Sequence, residues 1–116
     1  MKISGLLKFF LICLGMMQIS SAQAQPVSPC QVFGKIFYTK TKQEAQVWVY
    51  VEDSEGLADL IVYKEENELF ADKAGLWCKT AKKKFADYRV YITDNPEEAH
   101  FCIFYTDEPD FAGCQD

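Results

Sequence analysis

The stretch ITDNPEEAHFCIFYTDEPDFAG, residues 92–113, states nearly the same pattern twice. Alanine marks the register, because Ala99 and Ala112 lie 13 residues apart and the spacing of the earlier alanines is 13 or 15 residues. A fixed short period is the signature of a repeat architecture. The sequence therefore predicts six copies of a short segment, which together fill residues 34–113. The marking residues are Ala45, Ala58, Ala71, Ala86, Ala99 and Ala112.

Each copy combines an apolar half with a polar half. The positions nine and eight before each alanine are apolar or aromatic, as in Val49 and Tyr50, and such residues fit a pleated strand. The positions five before and one after are mainly acidic or polar, as in Asp53 and Asp59, which is typical of caps and turns. Each copy is thus predicted to form a short strand followed by a compact polar turn.

The length of the turns predicts the direction of the strands. About six residues separate consecutive strands, whereas a parallel crossover ordinarily needs a dozen or more. Val51 and Ala58 are seven residues apart, an odd interval that lets them flank a hairpin loop as a facing pair. The predicted fold is all-β, with six short antiparallel strands in a meander and short helical turns between them.

Both faces of the predicted sheet are more apolar than a sheet with one wet side should be. One face carries residues such as Val49, Val62 and Ile103, and the other carries residues such as Trp48 and Tyr91. Closure into a small barrel is favoured, because six equivalent strands otherwise leave two exposed edges. Coverage by the protein's own turns and association with a second copy are the alternatives.

The N-terminus has the composition of a secretory signal peptide. Lys2 and Lys8 flank the short apolar run FFLICLGMM, and small residues follow at Ala22 and Ala24. The run is shorter than the ~20 residues that cross a bilayer. We predict a signal peptide over residues 1–24, a linker over 25–33 and a single repeat β domain over 34–116, in a protein that is exported to the periplasm or secreted.

Four of the five cysteines remain once Cys13 is removed with the signal peptide. An even number in an oxidising compartment favours two disulfides, with three connectivities. A bond between Cys30 and Cys114 would tie the ends of the repeat array together. Cys78 and Cys102 share a face by parity, but their strands are not neighbours in a meander, so this second bond is left open.

The charge balance is acidic. The chain carries 17 acidic against 12 basic residues, a net charge of −5, and loss of the signal peptide makes it more negative. This argues against nucleic acid and anionic membranes as partners, because phosphates require clustered positive charge. The one basic run, residues 82–84, is most simply a solvated loop.

No residue pattern predicts catalytic, cofactor-binding or metal-ligating residues. His100 stands in a column where other copies have Asp or Gln, which indicates a turn-edge residue, and a single histidine without a Cys-x-x-Cys pair disfavours zinc. The recurring acids are explained by turn capping, although calcium binding by these columns is left open. They are Asp53, Glu66, Asp94 and Asp107 with Asp59, Asp72 and Asp87.

An aromatic column is the candidate binding feature. If exposed, it would form a stacking strip for a sugar or a peptide, whereas core or cross-strand packing is the ordinary explanation. The column consists of Phe37, Tyr50, Tyr63, Tyr91 and Phe104.

The segments VYVEDSEGLADLIVYKEENELFADKAGLW and IFYTDEPDFAGC show the pattern most fully. In these segments the chain resembles an uncharacterised bacterial family of short, often exported proteins built of tandem Tyr-x-x-Asp and Ala-Asp segments. The resemblance covers about residues 34–114 and implies a domain of unknown function with no activity to transfer. Lys40 and Ala81 depart from the acidic pattern in the first and fourth copies.

These observations predict an exported, non-catalytic binding or structural module. Its partner would be a protein, a glycan or an envelope component, and a homodimer is left open. The alternative is a small exported hydrolase. An exposed apolar patch favours the first, whereas a cleft that desolvates His100 or an acid pair favours the second.

Overall fold

The structure is a computed structural model that describes residues 27–115. Its regular elements are β-strands and single 3₁₀ turns, and no helix in this range is long and apolar enough to cross a membrane. The strands are β1 (Gly34–Tyr38), β2 (Val47–Val51), β3 (Leu60–Glu65), β4 (Leu76–Lys79), β5 (Tyr88–Ile92), β6 (Phe101–Thr106) and β7 (Gly113–Cys114). The 3₁₀ turns are Pro29–Gln31, Lys42–Glu44, Glu55–Leu57, Glu68–Phe70, Lys83–Phe85 and Pro109–Phe111.

Strands β1 to β6 form a closed barrel in the order β1-β5-β2-β6-β3-β4, with β4 pairing back onto β1. The prediction of an all-β closed barrel is therefore confirmed. All six pairings within the barrel are parallel, so the prediction of antiparallel strands is wrong. Only the two-residue β7 is antiparallel, alongside the start of β3.

Strand stagger explains how short connections join parallel strands. Tyr38 at the end of β1 and Val47 at the start of β2 both pair with Val90 of β5, from opposite sides. The connection therefore crosses one strand, a distance of roughly 10 Å, instead of returning the length of a strand. Val51 and Leu60 flank Ile103 of β6 in the same way. The crossover rule behind the antiparallel prediction applies to strands that start level, and a closed barrel staggers them.

The chain consequently winds around the barrel nearly twice. Strands β1 to β4 make the first circuit, and β5 and β6 fall into the gaps between β1, β2 and β3 in the second. Each of these connections lies on the outer face of the strand that it crosses. The connection over β5, for example, continues the backbone ladder through Thr39, whose N–H donates to the Val90 carbonyl, and Gln46, whose N–H donates to the Arg89 carbonyl.

The two sheet faces predicted from the alternation of residues along each strand match the inner and outer faces of the barrel. The first face fills the barrel, while the second points outward beneath the crossing connections, which explains why both are apolar. The interior cluster consists of Val32, Ile36, Val47, Val49, Leu60, Val62, Trp77, Val90, Phe101 and Ile103.

The marking alanines occupy equivalent places in the connections. Five of them follow directly on a 3₁₀ turn and donate their N–H back to its first carbonyl. Ala99 closes a similar turn by donating to the Pro96 carbonyl. Ala58 and Ala71 are buried, which lets the connection lie close to the strands below. The division into six copies stays a prediction.

Gly75 lies where β3, β4 and β7 meet. Its φ of +86° belongs to the left-handed region, and a Cβ there would lie 2.7 Å from the Gly113 nitrogen and against the Ile61 carbonyl. The Gly75 carbonyl accepts from the Tyr63 N–H at 2.8 Å. The two extra residues of this connection thus bring β4 directly beside β3.

The ends of the described chain are joined. Cys30 and Cys114 form a disulfide with a Cα–Cα distance of 5.1 Å, as the sequence predicts. Cys78 and Cys102 are free thiols, because β3 lies between their strands β4 and β6. Val32 is fully buried, so the folded unit includes part of the predicted linker, while the predicted signal peptide lies outside the described residues.

Candidate functional site

Four of the residues that follow the marking alanines accept backbone N–H groups: Gln46, Asp59, Asp87 and His100. Asp87 Oδ2 accepts from the Lys35 N–H at 2.8 Å, and Asp59 Oδ2 accepts from the Cys102 N–H at 2.9 Å. Each side chain thus accepts a hydrogen bond from the strand that its connection crosses. These acids therefore have a structural role, and their residue types vary because any short acceptor serves.

His100 occupies the same position with a different acceptor. Its ring Nδ1 lies 3.0 Å from the Trp48 backbone nitrogen and accepts that N–H. The backbone N–H of His100 donates to the Trp48 carbonyl at 2.7 Å. This geometry assigns the remaining ring proton to Nε2. The ring stacks on the Trp48 indole at a centroid distance of 5.6 Å. His100 is thus a turn-edge residue with one ring nitrogen already engaged.

Two ion pairs link neighbouring connections on this side of the barrel. Lys42 Nζ lies 2.7 Å from Glu98 Oε1, and Lys83 Nζ lies 2.8 Å from Glu44 Oε1. The hydrogen bonds from these lysines hold the pKa values of Glu98 and Glu44 below their usual range. All four side chains remain solvent-accessible, so each pair contributes modestly to stability.

The predicted aromatic strip lies on the outer face of the barrel and is half-buried. The strip is Phe37, Tyr50, Tyr63, Tyr91 and Phe104, and none of its members belongs to the strongly exposed hydrophobic residues. Tyr91, for example, packs edge-on against the Trp48 indole at a centroid distance of 6.1 Å. In the structure, the residues of this column serve in packing.

Sequence reasoning missed a different set of exposed apolar residues. They lie in the 3₁₀ turns, and most stand immediately before a marking alanine. We call the four on neighbouring turns the turn ridge: Leu57 (68% exposed), Leu69 (77%), Phe70 (61%) and Phe111 (64%). Phe85 (51%) stands apart, in the lysine-rich turn Lys83–Phe85. The signal was the recurring aromatic or leucine before Ala-Asp. The same position holds Glu44 and Glu98, which are the acids of the two ion pairs.

The order of the connections around the barrel brings the residues of the turn ridge together. The connection with Leu57 crosses β6, and the one with Phe111 contacts β3, the next strand around. Ala112 packs with Ala71 in one outer cluster, which brings the turns ending at Phe111 and Phe70 side by side. The turns with Leu57, Phe70 and Phe111 therefore occupy one arc of the barrel, and the ion pairs, together with Phe85 in the turn of Lys83, occupy the other.

A cavity of about 570 Å³ opens where the strands end. Tyr38, Trp77 and Tyr105 form its aromatic part, and Lys64 and Lys79 stand on its rim. Lys64 Nζ lies 4.3 Å from the centroid of the Tyr105 ring. We call this cavity the barrel mouth.

The acids of the polar columns do not gather into a metal site. Within residues 27–115, no group of three or more His, Cys, Asp or Glu side chains is placed to hold a metal ion. Asp53 and Asp94, on which the calcium hypothesis depended, are exposed side chains in separate connections. The structure brings no calcium ligand set together in this part of the chain.

A closed barrel whose strands are laid down in two interleaved circuits defines a knotted class of all-β domain. The family model described as the 7(1) septoil knot domain matches residues 29–115, three quarters of the chain, and the protein belongs to this family. The match begins near Cys30 and ends next to Cys114, so it spans the disulfide-closed unit. Neither the curated proteins nor the solved structures contain a significant match.

Proposed function

We propose that this protein is an exported, non-catalytic binding module, and that the turn ridge binds a protein surface with an apolar centre and a basic rim. The observation that carries the proposal is the exposure of the ridge: four large apolar side chains, each more than half exposed, lie on a small acidic domain. Contiguous exposed apolar surface in soluble proteins marks interaction sites.

The charges beside the ridge favour a basic partner. Glu55, Glu68 and Asp110 lie in the same turns as the ridge residues Leu57, Phe70 and Phe111, and all three acids are exposed. A second copy of this acidic chain would bring like charges together around the contact. Charge complementarity therefore favours a partner whose rim is basic.

The structural role of His100 supports a non-catalytic function. Hydrolysis by a histidine-activated nucleophile needs that histidine to be free as a base. The Nδ1 atom of His100 accepts the Trp48 N–H, and its ring is stacked on the indole. No observation favours the hydrolase alternative.

Export is supported by the signal-like N-terminus and by the disulfide between Cys30 and Cys114. Structural disulfides persist in oxidising compartments and are rare in reducing ones. Cell fractionation and mass measurement of the purified protein test this part. We expect an exported chain that starts after Ala24; an intact chain with Met1, found in the reducing compartment, would contradict it.

Site-specific photocross-linking in the native host tests the partner. A benzoylphenylalanine residue replaces Phe70 or Phe111 in the ridge, and replaces Glu44 or Glu98 as matched controls on the ion-paired arc. We expect a discrete adduct from the ridge positions alone, to a protein with a basic rim at the cross-linked surface. Adducts between two copies, equal adducts from the control positions, or no adduct would each contradict the proposal.

A further inference from the structure

We propose that the barrel mouth is a second binding site, separate from the turn ridge, and that it takes a small organic anion with a flat apolar body. Lys64 and Lys79 hold the negatively charged group, and Ile92 and Tyr38 contact the apolar body. The site shares no residue with the ridge.

The mouth is formed by one position of each strand. This is the last inward-facing position, and consecutive members are 13 or 15 residues apart, like the alanines. Four members are apolar or aromatic, as expected for the end of a barrel interior, while the two on the adjacent strands β3 and β4 are lysines. The six are Tyr38, Val51, Lys64, Lys79, Ile92 and Tyr105, and all but Val51 line the cavity.

Within the described part of the chain, the two ion pairs are made by Lys42 and Lys83. Neither Lys64 nor Lys79 forms a salt bridge there. Glu65 also lines the mouth, but its Oε1 accepts the N–H groups of Glu66 and Asn67, at 3.1 and 3.2 Å. Both lysines are solvent-exposed at the rim, so their ammonium groups are open to a ligand. In a chain with 17 acidic residues, two such lysines without a carboxylate partner point to an anion from outside.

The remaining charges around the mouth set the ligand's charge. Glu66 lies on the rim and opposes an anion, whereas Lys40 lines the adjoining depression, which shares Tyr38, Lys79 and Ile92 with the mouth. Glu65 keeps its negative charge while it accepts these hydrogen bonds, so the three lysines Lys40, Lys64 and Lys79 outnumber the two carboxylates by one. A single negative charge on the ligand fits this balance, and a polyanion does not.

The floor of the mouth is neutral and partly apolar. Trp77 is almost fully buried, and its Nε1–H donates to the Val32 carbonyl at 2.9 Å, so the indole is fixed. Burial, reinforced by the neighbouring Tyr105 hydroxyl, raises the pKa of Tyr38, and burial raises the pKa of Tyr105. Both hydroxyls therefore stay protonated at neutral pH and add no charge that would repel an anion.

The size of the mouth limits the ligand. A volume of about 570 Å³ lies within the range of roughly 300–1,000 Å³ that small-molecule sites occupy. Ile92 is 41% exposed at the rim, an apolar contact that is open to a ligand. One or two fused rings with a carboxylate match this shape and chemistry.

The test is an NMR titration of the oxidised, exported protein with 1-naphthoate, and with neutral 1-naphthalenemethanol as the matched probe. We expect saturable shifts at the mouth for 1-naphthoate and binding at least about tenfold weaker for the neutral probe, a difference of about 1.4 kcal/mol. Lys64→Gln and Lys79→Gln should each weaken 1-naphthoate binding by about fivefold to tenfold and leave the neutral probe unaffected. Lys84→Gln, in an exposed turn, is the control and should change neither.

Equal affinity for both probes, shifts at the turn ridge instead of the mouth, or unchanged 1-naphthoate affinity in the two mouth variants would each overturn the inference. So would the absence of saturable binding at millimolar 1-naphthoate. The variants replace exposed rim side chains, and thermal unfolding of each establishes that the fold is kept. A negative cross-linking result at the ridge does not bear on this site.

Discussion

Removal of the disulfide is the perturbation with the largest expected effect on the fold. The bond joins Cys30 to Cys114 across 84 residues and thereby closes almost the whole described chain into a ring. A double Cys30→Ser, Cys114→Ser variant removes that closure and leaves every strand of the barrel in place. The single variants are less informative, because each leaves an unpaired thiol.

The magnitude follows from the length of the closed loop. In the chain-entropy treatment, a ring with a sequence separation of 84 residues stabilises the folded state by about 4.5 kcal/mol. A domain of this size has an unfolding free energy of roughly 5–10 kcal/mol. The double variant should therefore retain at most roughly half of its stability, and its unfolding midpoint should fall by roughly 20 °C or more.

Urea unfolding followed by tryptophan fluorescence measures this loss, since the buried Trp77 is released on unfolding. Cys102→Ser is the matched control, because it changes a free, half-buried thiol, and we expect a change within about 1 kcal/mol. A double variant that loses less than about 1 kcal/mol would refute the reasoning, because the ends would then not need to be tied.

The other predictions concern single side chains. Gly75→Ala should destabilise the fold by about 2–4 kcal/mol in urea unfolding, because the added methyl meets backbone atoms of two strands in a left-handed conformation. His100→Ala should cost about 1–2 kcal/mol through the lost acceptor, while His100→Gln should retain most of that stability. The pKa of Glu98 is lowered in the folded state, so its pair with Lys42 stabilises above the usual carboxyl range and is lost as pH falls through the lowered value. Carboxyl NMR titration should show this lowered midpoint.

Matched variants make each of these predictions decisive. Gly56→Ala adds a methyl where the nearest atom is 4.0 Å away, and equal losses at both glycines would contradict the account of the junction. His100→Gln no more stable than His100→Ala would contradict the acceptor role. Lys42→Gln should return the Glu98 midpoint toward its usual value, and an unchanged midpoint would contradict the ion pair.

The sequence predicts which side chains share a face, because alternation along a strand is local. Val49, Val62 and Ile103 fall together inside the barrel as the parity requires. Strand direction is not local. The nine-residue spacing from Val51 to Leu60 suits a hairpin and also suits a step across one staggered strand, and only the register with β6 distinguishes the two.

The candidate sites likewise divide into features that depend on local sequence and features that depend on the arrangement of the strands. The acceptor role of Gln46, Asp59, Asp87 and His100 is consistent with their polar column, so His100 is placed as a turn-edge residue. The turn ridge was visible as a column before the alanines, but its exposure depends on how far the connections stand out from the barrel. The barrel mouth depends on strand order, because Lys64 and Lys79 line one cavity only when β3 pairs with β4.

The interleaved parallel barrel is tested most directly by nuclear Overhauser contacts along β5. The account predicts that backbone protons of Val90 contact those of Tyr38 on one side and Val47 on the other. Direct backbone contacts between β1 and β2 in a hairpin register, without β5 between them, would contradict it.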